Sequence, residues 1–179
     1  MAGGTSDARS GAGNVAREWE VRRTATGCRF CLPRADISDS MLEVAQLSVT
    51  TLFLERIQTY RGHCVLVFDP RHATRIDELS AAEWAGMSAD IRLAELVLQA
   101  VFRPDHINIA SIGQVVPHLH WHIVPRYTDD PRWGGPIWMT TADEMRTEYL
   151  QPADYSAMVR SIRAALSALP PAGQSSPAR

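Results

Sequence analysis

Three histidines at alternating positions, His118, His120 and His122, constrain this chain more than any other feature. The residues between them are apolar or β-forming, and prolines stand on both sides, so the segment predicts a short strand. Side chains alternate across a strand, which places the three imidazoles on one face and the apolar residues on the other. A buried imidazole needs hydrogen-bond partners, so the histidine face requires an explanation.

Three interpretations of this face remain open from the residues alone. The imidazoles bind water on an exposed surface, bind a metal ion, or face a phosphate. On a flat strand the outer pair lies ~13 Å apart, so all three do not easily converge on one ion with bonds of ~2.1 Å. Against a phosphate, one imidazole attacks phosphorus and its neighbours donate hydrogen bonds to the oxygens. This chemistry suits a nucleophile that is partly neutral near pH 7 and leaves well when protonated.

Composition excludes several other functions. A chain of 179 residues suits one domain with a real core, and a formal net charge of −2 gives no reason to expect a nucleic-acid polymer as partner. The chain has no lysine, which excludes Schiff-base chemistry and a Walker A loop. Any bound phosphate must therefore be held by arginine, histidine or backbone N–H groups. The apolar runs are too short for a membrane span, and the N-terminus lacks a signal core.

The order of patterns predicts an α+β fold. Residues 1–17 and 170–179 lack periodicity and are predicted to be disordered tails around one domain, residues 18–169. Besides the histidine segment, strand patterns cover residues 43–54, 63–68 and 106–112, and the strand over 63–68 is expected to be central. A capping box at Ser80 and Glu83 opens a long helix that ends near Arg103, and residues 142–169 form a helical pattern interrupted near Pro152. We expect an antiparallel sheet of about five strands, one long helix and a C-terminal helical segment.

Two of the three cysteines form the pair Cys28-Arg-Phe-Cys31. They are either reduced thiols, one of them in the core, or half of a tetrahedral zinc site, which needs two further ligands. His72 and His118 are the candidates for those ligands. Three cysteines with this spacing fit a reducing cytoplasm better than a disulfide framework.

The run His118-Leu-His120-Trp-His122-Ile-Val resembles the signature of the histidine-triad (HIT) superfamily of nucleotide hydrolases and transferases. The flanking Gly113-Gln114 and Pro125-Arg126 are similar to that family's flanks, and the resemblance extends roughly from Cys28 to Trp138. The later Asp-Pro, Trp and Pro-x-Trp pattern resembles a bacterial branch related to diadenosine-tetraphosphate hydrolases. The resemblance implies a HIT-like fold, a homodimer and a nucleotide as the small-molecule partner.

The resemblance also implies roles for individual residues. His120 is the nucleophile that attacks the α-phosphorus and forms a nucleotidyl-histidine, while His122 and His118 orient it or donate to phosphate oxygens. The residues matched to nucleotide or phosphate binding are Asn108, Gly113, Gln114, His63 and Val116. His63 is equally explained as a hydrogen-bonded histidine at a strand end.

Some bacterial members of the family hold a zinc ion at places matched here by Cys28, Cys31, His72 and His118. The segment that leads to His72 is one residue longer than usual. A zinc ion there would be structural, and no metal is required for the chemistry itself. If zinc takes His118, more of the catalytic work falls on His122.

Val115 departs from the family, in which many members carry Ser or Thr at this place to protonate the leaving group. Valine donates no proton, so a weakly basic polyphosphate leaving group is favoured over an amine. We therefore expect cleavage at the α-phosphate of a diadenosine-polyphosphate-like substrate. A phosphoramidate hydrolase and a non-catalytic nucleotide-sensing module remain alternatives. Trp133 or Trp138 either stacks on a base or packs against a partner subunit.

Overall fold

The chain folds around a five-stranded antiparallel sheet. A computed structural model describes residues 17–130, 132–141, 143–144 and 149–169. The strands are β1 (Met41–Gln46), β2 (Thr50–Glu55), β3 (Cys64–Phe68), β4 (His106–Ala110) and β5 (His120–Arg126), in the spatial order β1-β2-β3-β5-β4. Strand β3 is central and buried along its whole length. The predicted α+β class and its sheet are confirmed.

Two helices cover one face of the sheet. Helix α1 spans Ala81–Phe102 and begins with the predicted capping box, in which Ser80 and Glu83 satisfy each other's backbone N–H groups. Helix α2 spans Pro152–Ala168. The sequence pattern placed Pro152 at an interruption, whereas the structure places it at the first helical turn, where its missing N–H costs no hydrogen bond. The described residues 143–144 and 149–151 are not helical.

The opposite face of the sheet is covered by the N-terminal segment. Three 3-10 turns, Ala25–Gly27, Arg29–Cys31 and Arg34–Ile37, carry the chain across this face. Phe30 and Ile37 pack there against Phe53 and two valines of β3 in a second buried cluster, separate from the core under the helices. Residues 17–22 are helical and lie at the start of this segment.

The histidine segment differs from the expected strand at its beginning. Strand β5 starts at His120, so His118 lies outside it. The preceding Pro117 has no N–H, and the His118 N–H turns back to the carbonyl of Val116 at 2.8 Å. The strand then continues through Pro125 to Arg126, beyond the expected end. Only His120 and His122 therefore share a strand face.

The predicted disordered tails fall almost wholly on residues 1–16 and 170–179, which lie outside the described residues. Within the described ranges, neither of the two long helices has the length and apolar character that a bilayer span requires.

A buried carboxylate joins helix α1 to the turn between β1 and β2. Asp90 is 3% exposed, and its two oxygens accept hydrogen bonds from two backbone N–H groups and two hydroxyls. The donors belong to Ser48, Val49 and Thr50. Among the described residues, no other side chain connects the turn to the helix with as many as four hydrogen bonds.

Replacing Asp90 by Asn puts an amide donor where a buried carboxylate oxygen accepts two bonds. We expect Asp90→Asn to lower the free energy of unfolding by about 3 kcal/mol, measured by chemical denaturation. The exposed Glu95 on the same helix is the matched control, and Glu95→Gln should change stability by less than about 0.5 kcal/mol. Equal effects of the two substitutions would contradict the proposed bracing by Asp90.

Candidate active site and metal cluster

His120 has the features of a nucleophilic imidazole. Its Nδ1–H donates to the backbone carbonyl of His118 at 2.6 Å, so its Nε2 carries the lone pair. Among the described residues Nε2 has no hydrogen-bond partner, and no fully buried side-chain nitrogen or oxygen there lacks one, so this atom reaches solvent. Burial lowers the pKa of His120 from its ordinary value, which keeps the ring neutral at pH 7.

His122 and His63 form a hydrogen-bonded pair beside His120. The His63 Nε2 and the His122 Nδ1 lie 3.0 Å apart, and the ring centroids of His120 and His122 are 5.1 Å apart. Burial lowers the pKa of His63 to about 3 and that of His122 to about 4, and each is lowered further by a neighbouring histidine. Both rings are therefore neutral. A proton on the His63 Nε2 leaves the His122 Nε2–H free to donate to a substrate.

The loop before His118 presents unused backbone donors. The N–H groups of Gly113, Gln114, Val115 and Val116 donate no hydrogen bond to any described residue. Consecutive free N–H groups bind anions, because nothing must be broken to admit the negative charge. The Val115 side chain is 68% exposed and donates nothing.

Asn108 lies on β4 opposite Val124, on the same face as His120 and His122. Its Oδ1 accepts a 2.5 Å hydrogen bond from Arg126, a buried residue that also holds the loop after β5. A cavity of about 640 Å³ separates this part of β4 from that loop. Trp133 and Trp138, the residues expected to contact a base or a partner subunit, line this cavity.

Two thiols and two imidazoles form a second group of side chains next to the group of His120, His122 and His63. Its members are Cys28, Cys31, His72 and His118. Their ligand atoms all lie within 4.8 Å of one another. The His118 Nδ1 is 3.3 Å from the Cys28 Sγ and 3.6 Å from the Cys31 Sγ, and the His72 Nδ1 is 3.4 Å from the Cys31 Sγ. Tetrahedral zinc with ordinary bond lengths requires sulfur–nitrogen separations of about 3.6 Å. The donor set and its spacing thus fit a zinc ion.

The outer nitrogens of the two imidazoles orient this cluster. The His118 Nε2–H donates to the carbonyl of Phe68 at 2.7 Å, and the His72 Nε2–H donates to that of Arg23 at 2.8 Å. Each ring therefore turns an unprotonated Nδ1 toward the thiols, as metal-binding histidines do. Burial, then the neighbouring Cys28, raises the pKa of the Cys31 thiol to about 11. A divalent cation between the thiols would instead lower this pKa and favour the thiolate.

The structure brings the expected residues together in two groups. His120, His122 and His63 form one group, with the loop of Gly113 to Val116 preceding it, and the four candidate ligands form the other. Both nitrogens of His118 are occupied, so its imidazole has no N–H for a phosphate. The backbone of His118 instead orients His120.

Two residues of the site were not found from the sequence. The Phe30 ring contacts both His118 and His120 edge-on, with centroids 5.8 and 5.1 Å apart. Glu55 ends β2 beside His63, and burial raises the pKa of its carboxyl to about 7. The available signals were the aromatic residue inside the cysteine pair and the alternation of Phe53 and Glu55 along one strand face.

Residues 42–129 match the family model of the HIT domain. The chain belongs to the HIT superfamily. It is 35% identical over 74 residues to the asymmetrical bis(5′-nucleosyl)-tetraphosphatase of Schizosaccharomyces pombe, a match that covers 38% of this chain and 40% of that protein. The match thus spans less than half of the fission-yeast protein.

Solved structures of HIT proteins share the fold. A histidine-triad protein of Bradyrhizobium japonicum superposes with a TM-score of 0.67 at 21% identity, over 75% of this chain and 97% of that one. A zinc-bound HIT family protein of Mycobacterium smegmatis superposes with a TM-score of 0.56 at 22% identity, over 80% of this chain and 96% of that one. The HIT fold is therefore shown, while membership of the bacterial branch stays a prediction.

The lowered pKa values of His63 and His122 make stability depend on pH. In the unfolded chain both histidines take up protons below about pH 6.5. In the folded chain His63 stays neutral down to about pH 3 and His122 down to about pH 4, so protons favour unfolding. The stabilisation is complete above pH 6.5 and falls by about 2 kcal/mol per histidine between pH 7 and pH 5. Chemical denaturation at both pH values, with a chelator present, measures the loss.

His63→Gln should reduce the loss of stability between pH 7 and pH 5 by about 2 kcal/mol, since it removes one of the four histidines whose pKa is lowered, His63, His118, His120 and His122. The exposed His106 on β4 provides the matched control, and His106→Gln should leave the loss between pH 7 and pH 5 as in the unmodified chain. The expectation fails if both variants lose the same stability on acidification.

Proposed function

We propose that this HIT protein is a nucleotide hydrolase that cleaves at the α-phosphate of a nucleoside polyphosphate. The observation that carries the proposal is the state of His120: neutral, fixed through Nδ1–H to a backbone carbonyl, and open at Nε2. The unused N–H groups of residues 113–116 lie next to it in the chain and supply donors for phosphate oxygens. The name of the fission-yeast tetraphosphatase supports the same class of substrate.

The reaction proceeds in two displacements. The lone pair of the His120 Nε2 attacks the α-phosphorus, the bond from phosphorus to the bridging oxygen breaks, and the electron pair leaves with the remaining phosphate chain. The resulting imidazolium keeps its Nδ1–H bond to the His118 carbonyl. Water then attacks phosphorus, the phosphorus–nitrogen bond breaks, and the electron pair returns to Nε2. The water proton passes to solvent or to a phosphate oxygen.

His122 acts as a donor in this scheme, and His63 positions it. When the His63 Nε2–H donates to the His122 Nδ1, the His122 Nε2–H faces outward and stabilises charge on a phosphate oxygen. We assign Asn108 to the same nucleotide, because it shares the strand face of the two histidines. The exposed Val115 offers no proton, which favours a polyphosphate over a phosphoramidate.

We further propose that Cys28, Cys31, His72 and His118 hold a structural zinc ion. The sulfur–nitrogen spacing and the outer hydrogen bonds of both imidazoles support it, as does the zinc-bound mycobacterial protein of the same fold. The ion would crosslink the N-terminal segment to the backbone that orients His120. None of the three cysteines, all of them described, forms a disulfide, which is consistent with our proposal of a cytoplasmic location.

A homodimer is the assembly we propose. Strand β4 is the edge strand beside β5, and Ile109 projects from it as an exposed apolar side chain. An exposed edge with apolar side chains is suited to pairing with another chain.

Intact-protein mass spectrometry tests the covalent step. After brief incubation with diadenosine tetraphosphate and an alkaline quench, which preserves a phosphorus–nitrogen bond, we expect one added nucleotide mass. His120→Ala removes the nucleophile, so the adduct should disappear and turnover should fall by about 10³-fold or more. His106→Ala serves as the control histidine. Tight nucleotide binding without adduct or product in the unmodified chain would instead indicate a sensing module.

Metal analysis tests the zinc site. The purified chain should contain about one zinc per chain, and Cys31→Ser should lose most of it, because a tetrahedral site with three ligands binds far more weakly. The buried Cys64 lies outside the cluster, so Cys64→Ala is the matched control and should keep its zinc. Equal zinc content in the two variants would refute the assignment.

A further inference from the structure

The N-terminal segment, which lies outside the matched HIT domain, forms one wall of a cavity at the 113–116 loop. The cavity has a volume of about 310 Å³ and is lined by Arg22, Gly27, Arg29, Val115 and Val116. A hydrogen bond of 3.4 Å from the Arg22 guanidinium to the carbonyl of Val115 joins the two walls. The opening is therefore bordered by two cations and by the loop that carries the unused N–H groups.

Both guanidiniums keep donors available for an anion. Arg22 is 46% exposed along its side chain and pairs with Glu18 at 2.9 Å. Arg29 donates to the Ser40 hydroxyl at 2.6 Å and lies within the electrostatic reach of Glu55. Each guanidinium has five N–H donors, so these contacts leave several unused. No carboxylate lines the cavity itself.

The cavity borders the loop that leads to His120. Val116 packs against the buried cluster that contains Phe30, and the Phe30 ring contacts the His120 ring at a centroid distance of 5.1 Å. The loop runs from the cavity to His120 through only three residues, 117–119. Four peptide bonds therefore join Val116 of the cavity to His120, which limits the separation of their Cα atoms to at most about 14 Å.

Gly27 allows the N-terminal helical residues to pack closely against the turn that follows them. A Cβ atom at this position would lie 2.3 Å from the carbonyl oxygen of Val21, which real atoms do not approach. Only glycine lets the helical residues 17–22 pack directly on the following turn and place Arg22 beside Arg29.

We propose that this cavity binds the polyphosphate chain that leaves when His120 attacks the substrate; the inference rests on the proposed function. The bond from the α-phosphorus to the bridging oxygen breaks, and the negative charge appears on the leaving phosphate. Arg22 and Arg29 neutralise that charge, so no proton is needed where Val115 has no donor. The cavity thereby selects substrates whose leaving group carries several phosphates.

The test compares two substrates that share the transferred nucleotide. One is diadenosine tetraphosphate, and the other is the 4-nitrophenyl ester of AMP, whose leaving group carries no phosphate. For Arg22→Gln/Arg29→Gln we expect the ratio of kcat/KM, tetraphosphate over ester, to fall at least about tenfold. Arg92 is exposed on α1, and Arg92→Gln should leave the ratio unchanged. An unchanged ratio in the double variant would overturn the proposal.

A binding measurement separates this inference from the proposed function. Tripolyphosphate alone is titrated calorimetrically into the full chain at fixed ionic strength, because salt screens such contacts. We expect the double variant to bind it at least about tenfold more weakly than the unmodified chain and Arg92→Gln. Equal affinity in all three overturns the cavity assignment, whether or not the chain turns over nucleotides. Failure of the adduct experiment with arginine-dependent tripolyphosphate binding overturns only the covalent mechanism.

Discussion

The hydrogen bond from the Nδ1–H of His120 to the carbonyl of His118 is the interaction on which the site depends. It selects the tautomer that leaves Nε2 nucleophilic, and it holds the ring in place. The carbonyl can do this only if the His118 backbone is fixed. That backbone is held because the His118 imidazole is bound on both sides, by the Phe68 carbonyl and by the two thiols. Phe68 in turn ends the central strand, so His120, the nucleophile that we propose, is connected to a strand that is buried along its whole length.

This arrangement explains why the three alternating histidines have three different roles. His118 lies outside β5 and supplies its imidazole to the thiol cluster and its carbonyl to His120. His120 lies at the first position of β5, where its neighbours leave Nε2 open. His122 lies two residues further and is oriented by His63, the residue before β3. Burial keeps His120 and His122 neutral. The site therefore holds an unprotonated nitrogen and an N–H donor without burying a charge.

Much of the fold followed from local patterns, since strands, the capping box and helix α1 depend on neighbouring residues. The α2 start was missed because Pro152 has opposite meanings inside a helix and at its first turn. Strand periodicity also could not predict the direction of the His118 side chain, because His118 lies in the turn after Pro117 and not in β5. Phe30 was missed for a different reason, because it acquires its role from a strand that is distant in sequence. Glu55 acquires its role from its burial and from its contact with His63, which strand alternation alone does not reveal.

The N-terminal segment shows why the domain match alone understates the site. Residues 42–129 contain the histidines and the loop, whereas residues 17–41 contribute both thiols, the ring against His120 and both arginines of the cavity. A segment without periodicity can hold such residues because side-chain packing and hydrogen bonds, rather than a helix or strand ladder, fix its position. Substrate preference can then change by substitutions in this segment while His120 and its tautomer stay the same. We infer that catalysis and leaving-group selection are divided between these two parts of the chain.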